Sequence, residues 1–551
     1  MDNVANLTDL IVQRLDRNAA DILEHQTAEG SFLRPDLFTD TRYTGFCVAQ
    51  LITAFKDQDS RYGGNAEVKT AIRKALVYLR ESRRPSGLFD LSSCNFDSAP
   101  DTAFTLNALL DAYRLLDEED TELAHPLREL ISRACFGICE GGFHTPNHRW
   151  AIAACLMTAA QLRLDGEQTF RDTAQIYLRE GLDQNADGEF AERSAGTYNL
   201  VNDDQMVRLF LATEDETYLQ AACRNLRMMA AYMEPDGTVY TLNSRRQDRG
   251  HRVYPGAYAL QYLLVGYLVK DKEMAAQGHA LWNTAVRHGD VPSGIVWFRR
   301  FPEMETFGCD TVAGDPFFHY ARCFPDSGIA RFRDGKMSVT VKSGDPDFLY
   351  VRCGDLDLCM SLYGNVCDRR NFTAEALEPL DADEIRLLCR MPLWYYLPYS
   401  PGEQPGTTDW WQMESEKTRR RQVRDALEME IRIKVDLEGH GIDVHMQATG
   451  LTRVPLRMEI GLSEGELRGD SFRMRSAPGG EMVVSAGSLQ LTKGSDVLTL
   501  APCHAEHAVL DRMGGAFPRD EGRFTVYLTF ISPCEHVLHI GTERIFPMGI
   551  A

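Results

Sequence analysis

Apolar residues in the first 290 positions recur every three or four residues, which places them on one face of a helix. Gly, Pro, Asn and Asp interrupt this pattern at intervals, as is typical of helix ends and loops. The spacing predicts eleven or twelve helices. The clearest stretches are 7–15, 46–55, 71–79, 104–116, 127–138, 150–164, 170–182, 206–212, 218–233, 258–269 and 274–286.

A glycine followed closely by an apolar residue recurs after successive predicted helices, about every 50 residues. This recurrence predicts an internal repeat of helical hairpins with the same loop on the same face. Five or six hairpins in a ring would form an (α/α) toroid, with these loops at the end where a substrate binds. The loops are Gly30-Ser31-Phe32, Gly87-Leu88-Phe89, Gly142-Phe143-His144, Gly188-Glu189-Phe190 and Gly237-Thr238-Val239-Tyr240.

From about residue 325 the apolar residues alternate with polar ones, the period of a β-strand with one buried face. We therefore predict an α+β multidomain protein: an N-terminal (α/α) toroid over 1–290, a linker over 291–325 and a C-terminal antiparallel β-sandwich over 326–551. The clearest strands are 338–342, 429–435, 442–446, 489–492 and 524–530.

The composition, 44% hydrophobic and 25% charged residues in 551, is that of an ordinary globular protein of two or three domains. A net charge of −21 argues against nucleic acid as a partner. Fourteen cysteines without a CxxC pair indicate free thiols in a reducing compartment. With neither a signal peptide nor an apolar run long enough to span a membrane, we expect a cytoplasmic protein with no membrane partner; an already removed signal and a homo-oligomer stay open.

The segment Thr145–Trp150 offers an amide, an imidazole and a guanidinium at the start of a predicted helix. Thr145 and Pro146 suit the N-cap and first helical positions, so the polar groups fall in the first turn, where the helix dipole favours an anion such as a carboxylate. A solvated helix start is the plainer interpretation. The candidates here are Asn147, His148, Arg149 and Trp150.

Two further polar loops follow at the same interval of about 50 residues. In the first, Tyr198 is a candidate proton shuttle, with Glu192 and Arg193 beside it; packing of the ring and an exposed ion pair are the alternatives. The second is the most basic stretch of an acidic chain, and suits either a polyanionic substrate or a solvated loop. Its candidates are Arg246, Arg249, His251, Arg252 and Tyr254.

Carboxylates also lie at predicted hairpin starts, where they suit either helix capping or, as a pair, glycoside hydrolysis: Asp101, Asp203 and Asp204. In the second half, aromatic residues at 394–396 and 410–411 suit either sugar stacking or packing. His504 and His507 have no identifiable third metal ligand. No nucleotide or serine-hydrolase motif occurs, so no cofactor is expected, although a structural divalent metal stays open.

Asn147-His148 followed by Tyr198 about fifty residues later resembles the motif of the heparinase II/III-like polysaccharide lyases, including the oligoalginate lyases. That family combines an (α/α) toroid with a β-sandwich, so the resemblance covers nearly the whole chain. It usually takes a further His or Tyr from later in the chain, a role that His251 or Tyr254 could fill.

The resemblance implies β-elimination on a uronic-acid-containing oligosaccharide or polysaccharide. Asn147, with Arg149 or His148, would neutralise the uronate carboxylate. Tyr198 or His148 would take the C5 proton, and a tyrosine would protonate the departing O4. A toroid hydrolase acting on uronides and a non-catalytic glycan-binding protein are the rival hypotheses.

Overall fold

The computed structural model describes residues 7–117, 120–311, 314–403, 406–417 and 421–544. The chain forms two compact units, Met1–Pro316 and Phe317–Ala551. Met1 to Asn6, on which the expectation about export depends, lie outside the described residues. Within the described part, no helix is long and apolar enough to cross a membrane.

The first unit is helical, as predicted. Its helices are α1 (Leu7–Glu24), α2 (Thr41–Lys56), α3 (Ala66–Ser82), α4 (Ala99–Tyr113), α5 (Ala124–Cys139), α6 (Pro146–Gln161), α7 (Glu167–Leu178), α8 (Tyr198–Thr213), α9 (Glu216–Met229), α10 (Gly256–Val269), α11 (Lys272–Arg287) and α12 (Ile295–Arg300). A small hairpin of β1 (Phe89–Leu91) and β2 (Asn95–Ser98) precedes α4.

Within the described residues of this unit, α2 to α11 form five hairpins whose first helices lie inside and whose second helices lie outside. The inner helix α6 is buried nearly all round, since 13 of its 16 residues are buried. The outer helices α3, α5, α7, α9 and α11 are amphipathic, since only one face contacts the inner layer. Helix α12 packs against α1 and closes the ring.

The repeated glycine turn is confirmed at four of its five positions. Each of these glycines has positive φ, and its N–H donates to the carbonyl three residues earlier. At three of them a Cβ would fall within 2.8 Å of a backbone oxygen in the second helix of the next hairpin. Only glycine suits both demands. The four are Gly30, Gly87, Gly188 and Gly237, whereas the turn at Gly142 lacks the positive φ because the chain runs there directly into α6.

The segment predicted as a linker is divided between the two units. Ile295, Trp297 and Phe298 of α12 are buried in the first unit, and the backbone N–H and hydroxyl of Thr8 donate to Glu305 at 2.9 and 2.8 Å. The first unit therefore continues to residue 316, because α12 supplies the apolar surface that covers α1.

The second unit is a β-sandwich, as predicted. Its strands are β3 (His319–Phe324), β4 (Ile329–Asp334), β5 (Met337–Lys342), β6 (Asp347–Cys353), β7 (Leu356–Val366), β8 (Arg369–Asn371), β9 (Leu377–Pro379), β10 (Glu384–Tyr396), β11 (Arg421–Asp436), β12 (Gly441–Gly450), β13 (Pro455–Leu462), β14 (Glu466–Gly469), β15 (Arg473–Arg475), β16 (Glu481–Val483), β17 (Leu489–Lys493), β18 (Asp496–Ala501), β19 (Phe524–Ile531) and β20 (Cys534–Arg544), with α13 (Trp410–Lys417) between β10 and β11.

Among the described residues these strands form two nine-stranded sheets. One has the order β15-β14-β17-β18-β20-β12-β11-β10-β9, and the other has β16-β19-β13-β7-β6-β5-β4-β3 with β8 beside β7. All strand pairs are antiparallel except β16 with β19. Apolar side chains from both sheets form one core. Alternating burial along β11 and β12 accounts for the period of two in the sequence.

Candidate active site

Asn147 lies in the first turn of α6, where its side chain is buried and bound to a carboxylate from the next hairpin. The Nδ2 group donates to both oxygens of Glu192, at 2.6 and 2.7 Å, and the backbone N–H donates to Oε2 at 3.1 Å. Pro146 occupies the start of the helix, so the N–H of Asn147 is the first of the helix, and it points at this carboxylate. The N-terminus of α6 thus binds a carboxyl group, whose ionised form the helix dipole favours.

Glu192 is buried, although its sequence also suited an exposed ion pair. Burial raises the pKa of its carboxyl group, while the hydrogen bonds from Asn147 and the charge of Arg246 act in the opposite direction. Burial prevails, so the pKa of Glu192 is raised although the guanidinium of Arg246 lies 3.9 Å from its carboxyl group. Such a carboxyl group binds a proton more readily than an exposed glutamate.

Tyr198 begins α8, and its phenolic oxygen accepts a hydrogen bond of 2.7 Å from the side chain of Gln247. The guanidinium of Arg246 lies 4.7 Å from the centre of the Tyr198 ring. Since Arg246 also faces Glu192, it links the loop before α8 to the loop before α10. The structure therefore brings Asn147, Glu192, Tyr198 and Arg246 together at one end of the toroid.

A buried aspartate, Asp248, fixes the two loops that carry Tyr198 and Arg246. Its carboxylate accepts hydrogen bonds from the hydroxyl of Ser194 at 2.8 Å, the N–H of Gly196 at 2.8 Å and the hydroxyl of Ser244 at 2.7 Å. Ser194 in turn accepts the backbone N–H of Tyr198 at 3.0 Å. Asp248 is a positioning residue, because it acts on the site only through these loops.

His148 is half-buried, with Phe104 and His144 beside it at ring-centre distances of 6.1 Å each. Burial lowers its pKa, and the positive charge of Arg246 contributes to the shift, whereas Asp101 opposes it. The imidazole is therefore neutral near pH 7, and its Nδ1 has no hydrogen-bond partner among the described residues. A neutral imidazole of this kind can accept a proton.

Arg149 and Trp150 lie in the same turn as Asn147, yet they serve the packing of α7. Arg149 donates to the carbonyl of Gly181 at 3.0 Å and pairs with Glu180 at 3.3 Å. The indole of Trp150 is 1% exposed and donates to Asp183 at 2.7 Å. The structure thus places neither side chain with the cluster around Tyr198.

The remaining basic candidates spread away from Tyr198. Arg193 pairs with Glu189 at 3.2 Å, and Arg252 faces Asp236 at 3.7 Å. Tyr254 stacks on His288, with ring centres 4.3 Å apart. The other two candidates of this loop, Arg249 and His251, are exposed.

The carboxylates proposed for a hydrolase do not face one another. Asp101, in the first turn of α4, accepts hydrogen bonds from Ser98 and Asn95, whereas Asp204 pairs with Arg208 at 2.7 Å. Arg208 also pairs with Asp111, ten residues and about 15 Å along α4 from Asp101. Asp203 is fully buried, which raises its pKa well above the ordinary value.

The candidates in the second unit have separate surroundings. Trp394 donates to Asp368 at 3.0 Å, and Trp410 and Trp411 are exposed. His507 lies within hydrogen-bonding distance of the carbonyls of Leu456 and Phe530. No group of metal-ligating side chains occurs among the residues that the structure describes.

Three contributors to the site were not singled out in the sequence: Gln247, Asp248 and His144. Gln247 and Asp248 lie between the arginines of the basic loop, so that loop's position in the repeat could have indicated them. His144 belongs to the glycine turn before α6. No sequence pattern reveals that Asp248 faces inward while its neighbours are exposed.

An (α/α) toroid followed by an antiparallel β-sandwich is the fold of a class of polysaccharide lyases, and this chain has that fold. It is similar to heparan sulfate lyase HepC from Pedobacter heparinus, with a TM-score of 0.58 and 10% identity over 99% of this chain and 85% of the other. A Paenibacillus xanthan lyase gives a TM-score of 0.60 and 9% identity over 98% of this chain and 57% of the other.

A chondroitinase AC lyase gives a TM-score of 0.52 and 12% identity, over 98% of this chain and 82% of the other. No protein-family model and no curated protein matches the sequence. At these identities the likeness establishes the fold, and the resemblance inferred from the sequence is confirmed at that level.

Proposed function

We propose that the protein is a polysaccharide lyase that cleaves a uronic-acid-containing glycan by β-elimination. The observation that carries the proposal is the meeting of Asn147, Glu192, Tyr198 and Arg246 at one end of the toroid. Such a reaction needs groups that neutralise a carboxylate beside groups that move a proton, and the cluster contains both. Solved structures of similar fold are lyases named for heparan sulfate, xanthan and chondroitin.

The uronate carboxylate would bind near Arg246, Asn147 and the N-terminus of α6, where guanidinium, amide and helix dipole all favour negative charge. Glu192 already occupies the Asn147 amide. The raised pKa favours the protonated form of Glu192, and that form would donate a hydrogen bond to the substrate carboxylate instead of repelling it. Neutralising that carboxylate acidifies the proton on C5 and stabilises the enolate-like transition state.

In the elimination, the C5–H bond and the C4–O4 bond break and a C4=C5 double bond forms. We assign proton donation to the departing O4 to Tyr198, whose oxygen is held by Gln247. The C5 proton goes to neutral His148 or to the phenolate of Tyr198, and substitution of each residue distinguishes the two routes. The products are a new reducing end and a 4,5-unsaturated uronate.

The test is incubation of the purified protein with oligosaccharides that contain different uronic acids. Ultraviolet absorbance of the unsaturated product should rise together with new reducing ends. Reducing ends without absorbance would indicate a hydrolase, and binding without either product would indicate a glycan-binding protein. Either result across the substrate set would contradict the proposal.

A further inference from the structure

The first unit contains a basic cavity at the end of the inner helices opposite Tyr198. Its volume is about 290 Å³, and it lies beside the last turn of α4 and helix α12. Arg208, which pairs with Asp111 of the cavity, lies ten residues and about 15 Å along α8 from Tyr198. The lining residues are Asp111, Arg114, Leu115, Val296, Trp297, Arg299 and Arg300.

Two arginines at this cavity are already neutralised. Arg208 lies behind the wall, where it pairs with Asp111 and Asp204 at 2.7 Å each. Arg299 forms a fork on Asp57, with distances of 2.9 and 2.8 Å. Such bidentate and doubly paired guanidinium groups are held rigidly, so they shape the cavity without needing another anion.

Arg114 and Arg300 are not neutralised in this way. Neither has a carboxylate within 4 Å among the described residues, and Arg114 donates instead to the neutral amide oxygen of Gln161. The Nε of Arg114 is inaccessible to solvent and has no hydrogen-bond partner in the described part of the chain. Arg114 and Arg300 are thus the two arginines of this cavity whose charge no described carboxylate offsets by direct contact.

Electrostatics point in the same direction. Burial lowers the pKa of Arg114, and the charge of Arg300 lowers it further. Burial also lowers the pKa of Arg300, with Arg208 contributing and Asp111 opposing. The folded protein therefore holds guanidinium groups that repel one another. In this layer the carboxylates of Asp57, Asp59, Asp111 and Asp204 all contact Arg208 or Arg299, so none of them is in direct contact with Arg114 or Arg300.

We propose that this cavity is a binding site for a small oxyanion, held by Arg114 and Arg300. An oxyanion would give both guanidinium groups the negatively charged partner that they lack, and their planar shape suits the paired oxygens of a carboxylate or a phosphate. A cavity of about 290 Å³ is at the lower limit of ligand pockets, so the ligand is no larger than a single acidic sugar. The proposal does not depend on the lyase activity.

The shared chemistry, an oxyanion, has two sources: the carboxylate of a free uronic acid, or inorganic phosphate. Thermal unfolding and isothermal calorimetry of the full-length protein would compare phosphate, glucuronate and chloride at equal ionic strength. We expect at least one oxyanion to raise Tm by about 2 °C or more at millimolar concentration, with chloride inactive. The more effective of the two identifies the source.

Variants test whether the cavity is responsible. Arg114→Gln and Arg300→Gln should abolish the oxyanion-dependent rise in Tm while leaving Tm in chloride unchanged or higher, because each removes a repelling charge. Arg17→Gln on the exposed face of α1 is the matched control and should keep the rise. Retention of the rise in both cavity variants, or no binding of either oxyanion by the unaltered protein, would overturn the proposal.

Discussion

The carboxylate of Glu192 accepts hydrogen bonds from both the side-chain amide and the backbone N–H of Asn147, so one hairpin caps the first helix of the one before it. This contact joins two residues 45 positions apart. It places an ionisable group at the position where the proposed substrate carboxylate would bind. The protonation state of Glu192 therefore determines whether it repels that carboxylate or donates a hydrogen bond to it.

The raised pKa of Glu192 predicts a pH-dependent effect of Glu192→Gln on stability. A carboxyl group whose pKa is raised by folding stabilises the protein at low pH, and this contribution is lost as the pH rises through the raised value. Tm of the variant should therefore increase relative to the unaltered protein as the pH rises above about 4.3, the ordinary pKa of a glutamate. For exposed Glu216→Gln the difference should stay constant; a constant difference for Glu192→Gln as well would contradict the assignment.

Tyr198→Phe should lower kcat by about 10²- to 10⁴-fold, because it removes the proposed proton donor and keeps the ring under Arg246. Tm should change little, since the hydrogen bond of the hydroxyl among the described residues is with the exposed Gln247. Tyr254→Phe is the matched control, because that ring stacks on His288 and should retain activity. Full lyase activity in Tyr198→Phe would exclude Tyr198 as the acid.

The lowered pKa of His148 fixes the pH range in which it can act as a base. An ordinary imidazole becomes protonated as the pH falls through about 6.5, whereas His148 becomes protonated only at a lower pH. The fall of kcat/KM on the acid side of the pH profile should therefore lie below about pH 6.5. His148→Gln should lower kcat about 100-fold or more, whereas His125→Gln, on the exposed face of α5, should keep the profile. An unaltered rate in His148→Gln would leave Tyr198 as the base.

Asp248→Asn should weaken both the fold and the proposed reaction. In the variant an NH₂ group replaces one of the two oxygens that now accept hydrogen bonds from Ser194, Gly196 and Ser244. At least one of these donors then loses its acceptor, which costs about 1–3 kcal/mol of unfolding free energy. Since these bonds position Tyr198 and Arg246, kcat should fall too. Exposed Asp172→Asn should change neither; a fall in Tm alone for Asp248→Asn would show that the loops keep their geometry without it.

Alanine at two glycines should separate the cost of positive φ from that of close packing. Gly181 has φ of +82° and open space around it, so Gly181→Ala should cost about 1 kcal/mol. Gly188 has φ of +98° and a would-be Cβ 2.6 Å from the carbonyl oxygen of Arg224, so Gly188→Ala should cost about 3 kcal/mol or more. Equal losses in urea unfolding would mean that the hairpin contact adjusts freely.

The helices, the strands and the glycine turns could be predicted because each leaves a periodic trace in the sequence. Which of the candidate residues face the site could be predicted only in part. Successive residues of a helix point about 100° apart, so Asn147 and Arg149 cannot face the same side. That geometry sends Arg149 and Trp150 toward α7, although all three lie in one turn.

Contacts between distant loops could not be predicted, because they leave no periodic pattern in the sequence. The sequence places Glu192 beside Arg193, yet Glu192 binds Asn147 while Arg193 turns to Glu189, because the chain at Arg193 has φ of +47°. The cavity around Arg114 and Arg300 depends on α12 closing the ring, and that helix falls in the segment expected to be a linker.

The packing of α1 against α12 makes the helical unit a repeat array whose two ends meet. In an open array a terminal repeat has one neighbour, and its loss exposes one interface. Here the first helix has neighbours on both sides, α2 and α12, and its Thr8 is bound to Glu305. The first and last helices of the array therefore stabilise each other, and no hairpin can be removed without opening two interfaces at once.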